Sequence, residues 1–293
     1  MYNLSTIYKG GIKMKISVST YSYKNTDQFD CIAMAADAGF DGIEFTELTP
    51  PEGEDKISFA KRIKAEAERV GIEISNYSVG AKFIWDTDEE LDAEIERVKG
   101  CIDVAEVLGV KRFRHDAATA PGRYRTFDGA LPVIAEGCRK ITEYAEAKGI
   151  KTMIENHGYF CQGAERCEKI VAAVNHPNFG LLADMGNMLF ADSDPAVSFG
   201  RIAPYTEHVH AKDFHIKLPQ DMPGRGYRFT VSDGRLLRGA IIGHGDVPVI
   251  QCLKALKRVG YDGYVSIEFE GMEEPVEAIE IGLENLKKYI DII

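Results

Sequence analysis

Short apolar segments alternate with amphipathic helical segments along the chain, and this alternation predicts an α/β fold, a single-domain (β/α)8 TIM barrel. The 293-residue sequence contains eight candidate strands and eight candidate helices. Several predicted helices end in a glycine that leads within a few residues into the next strand, as in AADAGF, AERVGI and AEVLGV. Strands that are apolar on both faces need helices around them, and eight such units in one chain favour a closed barrel. A doubly wound sheet is the alternative, but it usually has fewer strands.

Each candidate strand is a short β-branched or aliphatic run, and each candidate helix follows it after a loop. In chain order, the candidate strands cover residues 15–20, 42–46, 73–78, 111–115, 151–155, 180–184, 207–212 and 264–269. The candidate helices lie near residues 27–38, 54–70, 88–108, 128–148, 163–174, 195–202, 247–259 and 275–290.

Two segments fall outside this alternation. Residues 1–13 precede the first strand, and we expect an N-terminal extension followed by a barrel over residues 14–293. Residues 214–246 are rich in glycine, proline, arginine and aromatic side chains, which predicts a long irregular loop after the seventh strand. At the C-terminal face of a barrel, such a loop would cover the active site as a lid. A surface hairpin without a catalytic role is the alternative.

The composition indicates a globular protein of the cytoplasm. The net charge of −11 argues against nucleic acid or an anionic membrane as a partner. No apolar run is long enough to span a bilayer, and the N-terminus lacks the apolar core of a secretory signal. The six cysteines show neither zinc nor redox spacing, which predicts free thiols in a reducing compartment. Homo-oligomerisation stays open.

Four predicted strands end in a side chain that can bind a metal ion. These residues are Glu155, Asp184, His210 and Glu268. In a parallel barrel the carboxyl ends of the strands meet at one rim, so the four side chains should converge there. Three carboxylates and one imidazole favour Mn²⁺, with Mg²⁺, Co²⁺ or Zn²⁺ as alternatives. The structural alternative for any single member is a helix cap or a turn residue.

Further polar side chains follow the predicted strands and are candidates for contact with a substrate. Some lie two residues after a metal-ligand candidate and so share its face of the strand. Others end a strand or follow the long loop. For each, a salt-bridged or loop residue without a functional role is the alternative. These candidates are Glu44, His115, His157, Lys212 and His244.

The order and spacing of Glu155, Asp184, HVHAKD (residues 208–213) and Glu268 resemble the xylose-isomerase-like TIM barrel superfamily over about residues 15–290. Its members include sugar-phosphate isomerases, ketose 3-epimerases, inosose dehydratases and isomerases, and endonuclease IV. The resemblance to the epimerase branch implies the same four residues as metal ligands. It also implies that Glu155 and Glu268 act as an acid/base pair, one on each face of the reacting carbon.

The sequence departs from this pattern at Asn187. Ketose 3-epimerases and endonuclease IV carry a histidine at this place, three residues after the metal-binding aspartate. Asn187 is therefore a further candidate for substrate binding. The departure weakens an assignment as a ketose 3-epimerase, and together with the acidic charge it argues against a nuclease.

These observations predict a divalent-metal-dependent isomerase or epimerase of a small sugar or polyol. It would remove a proton next to a carbonyl group held by the metal. The first alternative is a lyase on the same site, such as a keto-inositol dehydratase or an enzyme that cleaves 3-keto-glycosides. An alternative of another class is a metal-dependent sugar-binding protein without catalytic activity.

Overall fold

The computed structural model describes residues 14–221 and 224–293, and the parallel strands within them close into a barrel. The predicted (β/α)8 fold is confirmed, with β1 to β7 and β11 in the barrel and β11 closing it against β1. In chain order the strands are β1 (Lys15–Ser19), β2 (Gly42–Thr46), β3 (Glu73–Val79), β4 (Arg112–His115), β5 (Lys151–Glu155), β6 (Phe179–Asp184), β7 (Thr206–Ala211), β8 (Asp213–Lys217), β9 (Phe229–Thr230), β10 (Leu236–Ala240) and β11 (Tyr264–Ile267).

Local signals place the helix boundaries within a few residues of the prediction. The side chains of Asp27 and Asp55 accept hydrogen bonds from first-turn amides of the helices that they precede. Gly39 and Gly71 end the same helices in the left-handed conformation, which glycine adopts without a Cβ clash. The helices are α1 (Gln28–Ala38), α2 (Lys56–Val70), α3 (Asp88–Leu108), α4 (Phe127–Glu146), α5 (Ala164–Val174), α6 (Pro195–Ile202), α7 (Val249–Arg258) and α8 (Pro275–Ile292).

The register of the parallel strands determines which side chains face the barrel axis. Asp184 of β6 lies opposite His210 of β7, and Leu182 of β6 lies opposite Glu155 of β5. Paired residues in neighbouring strands point to the same face of a sheet, and alternate residues of one strand do so as well. Glu155, Asp184 and His210 therefore all point to the interior at the C-terminal rim.

The segment after β7 is not the irregular loop that the sequence predicted. It folds into an antiparallel sheet in the order β8–β10–β9. The ends of the segment are tied together by Asp213, which accepts hydrogen bonds from the backbone amides of Gly243, Gly245 and Val247 at 2.9–3.0 Å. Gly226 and Gly234 lie in the turns that flank β9, whereas Gly239 lies within β10.

The core fills the interface between the barrel and its surrounding helices. All six cysteines are buried and lack a disulfide partner among the described residues, as predicted. None of the helices in the described part of the chain combines the length and the apolar content that a bilayer crossing requires. The expected N-terminal extension, residues 1–13, lies outside the described residues.

Candidate metal centre and active site

The four predicted metal-binding side chains meet at the C-terminal rim of the barrel. Glu155 and Asp184 end β5 and β6, His210 lies in β7, and Glu268 directly follows β11. One ligand atom from each lies within 4.8 Å of those of the other three. His210 Nδ1 is 3.3 Å from Glu268 Oε2. The same nitrogen is 3.6 Å from Glu155 Oε1 and 3.7 Å from Asp184 Oδ2.

The cluster contains unsatisfied polar atoms that fit a divalent cation. Within the described residues, His210 Nδ1, Asp184 Oδ2 and Glu268 Oε2 are buried and make no hydrogen bond. The ammonium group of Lys212 lies 2.5 Å from Glu268 Oε2 and 3.3 Å from Asp184 Oδ2 as an ion-pair partner. Buried polar atoms without a hydrogen bond are rare and are expected where an ion binds. Three carboxylates and one imidazole nitrogen could hold a divalent metal ion.

Glu44 lies on the other side of the His210 imidazole, deeper in the barrel. Its Oε2 lies 3.0 Å from His210 Nε2 and 3.0 Å from His208 Nε2. Asn76 and Ser78 donate hydrogen bonds to its Oε1 at 3.0 and 2.7 Å. An ionised carboxylate only accepts, so each imidazole donates from Nε2, and Nδ1 of His210 faces the cluster, where it would bind a metal ion in its deprotonated form.

This placement corrects the expectation that Glu44 contacts a substrate. Its side chain is fully buried beneath His210, and its oxygens are engaged by protein donors. Burial alone would raise the pKa of Glu44, but the charges of His210 and His208 outweigh it and hold that pKa well below its usual range. Glu44 therefore holds the His210 ring in place and does not line the cavity where a substrate would bind.

Burial and close charges shift the pKa values of the cluster in different directions. Burial would raise the pKa of Glu268, but the charges of Lys212 and His210 outweigh it and lower that pKa to about 2. For Asp184 burial dominates and raises the pKa. Burial would lower the pKa of His210, but the carboxylates of Glu44 and Glu268 outweigh it and raise that pKa well above its ordinary value. Without a metal ion the carboxylates therefore favour a proton on the His210 ring, and a cation bound by Nδ1 would displace it.

A cavity of about 270 Å³ opens beside the cluster, and we call it the inner pocket. His157, Asn187 and Lys212, which the sequence suggested as substrate contacts, line it. Asn187 Nδ2 donates to Glu155 Oε1 at 2.8 Å, and His157 Nδ1 lies 2.9 Å from Asp116 Oδ1. The inner pocket therefore connects solvent with groups that contact the metal-binding side chains.

Two charged side chains of the site were missed by the sequence analysis. Arg114 Nη2 lies 2.5 Å from Glu155 Oε2. It faces inward because Arg114 pairs with Met153, which shares a face of β5 with Glu155. Glu270 lines the inner pocket, and its Oε1 lies 3.6 Å from Lys212 Nζ. The two-residue spacing from Glu268 could have identified it, since the same rule selected His157 and Lys212.

His115 and His244 lie away from the inner pocket. His115 follows Arg114 in β4, so strand alternation points it outward, where it is fully buried and its ring centre lies 5.6 Å from that of Phe83. His244 is exposed on the turn between β10 and α7 and is not among the described residues that line the pocket. Neither of the two expected substrate contacts therefore lines the inner pocket.

Comparison with known proteins agrees with this architecture. The family model of the xylose isomerase-like TIM barrel matches residues 32–289, and the chain belongs to this family.

Proteins similar to this chain include enzymes that act on small polyols and sugars. An inosose dehydratase of Clostridium perfringens is 23% identical over 297 aligned positions, which cover 94% of this chain and 96% of that protein. The crystal structure of the IOLI protein with a bound zinc atom is similar with a TM-score of 0.75 at 18% identity, covering 95% of this chain and 98% of that one. The 3-keto-D-glucoside 4-epimerase YcjR of E. coli has a TM-score of 0.71 at 16% identity, covering 94% and 100%. At such identities the structural likeness supports the fold alone.

Proposed function

We propose that this protein is a divalent-metal-dependent lyase. It would remove a proton next to the carbonyl group of a small keto-sugar or keto-polyol and then expel water. The sequence left this reaction as an alternative to isomerisation or epimerisation. Similarity to an inosose dehydratase over nearly the whole chain supports it.

Glu155, Asp184, His210 and Glu268 would hold the metal ion. A bound divalent ion polarises a carbonyl group and stabilises the negative charge that develops on its oxygen. Because the donor set is rich in carboxylates, Mn²⁺ is our first choice, with Mg²⁺, Co²⁺ and Zn²⁺ as alternatives. The zinc atom in the IOLI structure supports a divalent ion in this fold.

The different surroundings of the two glutamates carry the proposal. Both oxygens of Glu155 are engaged, Oε1 by the Asn187 amide and Oε2 by the Arg114 guanidinium. Glu155 is therefore suited to hold a metal ion and poorly suited to accept a substrate proton. Glu268 instead pairs with Lys212, which lines the inner pocket. The site thus offers one proton-transferring pair rather than two equivalent bases.

The reaction can be written with these two residues. Glu268 accepts the proton from the carbon next to the carbonyl, and the C–H electron pair forms an enolate. The enolate electrons then form a carbon–carbon double bond and expel the hydroxyl group from the following carbon. The Lys212 ammonium protonates the leaving hydroxyl, so that water departs. Lys212 Nζ lies 2.5 Å from Glu268 Oε2, close enough to recover the proton and restore both groups.

An isomerase or epimerase is the second candidate, with Glu155 and Glu268 as its acid/base pair. The presence of both carboxylates in one cluster favours it. A 3-keto-D-glucoside 4-epimerase has the same fold. A sugar-binding protein without turnover would bind the same ligands but move no proton.

We also propose a small uncharged substrate, a cytoplasmic location and no nucleic-acid partner. Asp184 and Glu268 beside the inner pocket, and Glu270 in its lining, would repel a phosphate group against the attraction of Lys212. The net charge of −11 disfavours nucleic acid.

Incubation in D₂O with Mn²⁺ and either an inosose or 3-keto-D-glucose tests the function. Deuterium incorporation with loss of water, followed by NMR and mass spectrometry, is the expected result. Incorporation with a new epimer and no water loss would favour the second candidate. Binding without incorporation would identify a non-catalytic binding protein.

Two lysine variants test whether Lys212 is the proton donor, one at Lys212 and a control at Lys217. Lys212→Met should abolish water loss, because it removes the ammonium beside Glu268. Lys217→Met removes the same charge from the exposed end of β8 and should leave water loss unchanged. If Lys212→Met eliminates water at the rate of the unmodified protein, Lys212 is not the acid.

A further inference from the structure

A second and larger cavity, which we call the outer cavity, adjoins the inner pocket. Its volume is about 840 Å³, against about 270 Å³ for the inner pocket. Tyr159 and Phe190 line both spaces and so form the wall between them. The outer cavity continues from this wall along the starts of α5 and α6. A ligand that extends beyond the inner pocket over this wall would enter the outer cavity.

The ring of Tyr159 is held in an exposed position at this wall. Its exposed fraction is 58%, which is high for a large aromatic residue beside an active site. Its backbone adopts a left-handed conformation with φ of +58°, and its amide donates to Gln162 Oε1 at 2.6 Å. Gln162 in turn donates to the backbone oxygen of Asn187 at 2.7 Å, within the site. Contacts with the site therefore maintain a conformation that non-glycine residues rarely adopt.

Phe190 supports this ring from the side. The two ring centres lie 6.0 Å apart and the ring planes are nearly perpendicular. Phe190 is itself packed edge-on against Phe214 and Phe229. With 58% of its surface exposed, Tyr159 keeps much of its ring open to a ligand despite this contact. The C–H groups of a sugar ring carry partial positive charge, and the electron-rich face of an aromatic ring attracts them.

The lining of the outer cavity suits a neutral ligand with many hydroxyl groups. Asp128 and Asp192 provide acceptors, Lys169 provides a donor, and Ser232 can act as either. Lys169 and Asp128 form an ion pair at 2.8 Å, so charges of both signs lie side by side. A surface of mixed charge attracts neither an anion nor a cation at long range, whereas hydroxyl groups can bond to both kinds of side chain.

We propose that the outer cavity is a second subsite, and that the substrate is a glycoside whose keto-bearing ring occupies the inner pocket while its second ring stacks on Tyr159. This inference rests on the proposed function for the identity of the reacting ring. The volumes agree with it, because the inner pocket is small for a ligand site and the outer cavity has room for a further ring.

Saturation-transfer NMR with the Mg²⁺-loaded protein tests the subsite without requiring turnover. The probes are D-glucose, which has one ring, and maltose, which has two. We expect tighter binding of maltose, with saturation on the protons of both rings. Equal affinities, or saturation confined to one ring of maltose, would overturn the proposal.

Variants at the wall sharpen this test. Tyr159→Ala should weaken maltose binding by about three- to tenfold and glucose binding much less. Tyr159→Phe retains the ring face and should bind maltose as the unmodified protein does. If Tyr159→Ala changes both affinities equally, the ring does not form a second subsite.

A second pair of variants fills the outer cavity instead. Val197 lies in its lining with 74% of its surface exposed, so Val197→Trp should fold and obstruct the second ring of maltose. Val259→Trp, at a residue that is 46% exposed and lines a separate cavity near the N-terminus of β7, is the control and should bind both sugars normally. Unchanged maltose binding in Val197→Trp would place the second ring elsewhere.

Deuterium exchange into 3-keto-D-glucose tests the proposed reaction independently of the subsite. Absence of exchange together with two-ring maltose binding would refute the lyase and retain the subsite. Exchange with loss of water, together with equal binding of the two sugars, would retain the lyase and refute the subsite.

Discussion

Replacing Glu44 with glutamine should weaken metal binding although Glu44 is not a proposed ligand. The Glu44 carboxylate accepts hydrogen bonds from His210, His208, Asn76 and Ser78. A glutamine has one oxygen and an amide group that would face an imidazole N–H. His210 can relieve that contact by carrying its hydrogen on Nδ1, the nitrogen that faces the cluster. Partners of this kind contribute roughly 10–100-fold to metal affinity, which corresponds to about 1.4–2.7 kcal/mol.

The same substitution should also destabilise the metal-free protein. Glu44 is fully buried, so a donor left without an acceptor there cannot bond to water. Each such group costs about 1–3 kcal/mol. We therefore expect the free energy of unfolding of Glu44→Gln to fall by at least this amount.

Calorimetric titration with Mn²⁺ measures the first effect, and urea unfolding with a chelator measures the second. Ser78→Ala is the matched control, because it removes a 2.7 Å hydrogen bond to Glu44 Oε1 and leaves Glu44 an ionised acceptor. The control should lose about 1 kcal/mol of stability and keep its metal affinity. Equal Mn²⁺ affinities for Glu44→Gln and the unmodified protein would refute the reasoning that Glu44 places the hydrogen on His210.

Other perturbations separate the roles of the remaining residues. Glu268→Gln should lower the rate of deuterium exchange by about 10²–10⁴-fold even at saturating Mn²⁺. In Glu155→Gln, added Mn²⁺ should largely restore that rate. Equal losses in the two variants that Mn²⁺ does not restore would favour a two-base epimerase. Burial lowers the pKa of His115 to about 4, so the unfolded chain binds this proton first as the pH falls below about 6.5. The folded protein therefore loses stability as the pH falls towards 4, by about 2 kcal/mol at pH 5. His115→Asn should reduce the difference between the free energies of unfolding in urea at pH 7 and pH 5. An unchanged difference would contradict this. Phe229→Ala should raise KM several-fold with a small change in Tm, because the ring lines the inner pocket from a surface segment; a loss of Tm without a change in KM would mark Phe229 as structural.

Most barrel elements could be predicted because their signals are local. The cap residues Asp55 and Gly71 and the apolar periodicity between them define α2 from residues close in sequence. The sheet after β7 depends instead on pairing between Asp213–Lys217 and Leu236–Ala240, and the sequence between them contains several glycines and prolines. Turn residues dominate the sequence pattern there, so the short strands were not recognised.

The metal-binding cluster was recognisable for a related reason. Each of its members stands at the carboxyl end of a strand, and parallel strands bring these ends to one rim whatever their order. Strand ends can be read from local sequence. The choice of Glu155 and Asp184 therefore needed no knowledge of the contacts between strands.

Local sequence was sufficient for the barrel and for the kind of side chain at its rim, whereas only the folded structure decided which neighbouring residue faces the site. Arg114 enters the site and His115 does not, because the register with β5 turns one inward and the other outward. Glu44 lies beneath His210 because closure of the barrel brings β2 and β7 side chains together in the interior. A shift of one residue exchanges the two faces of a strand, and that register is determined by packing across the whole barrel rather than by the residues of one strand.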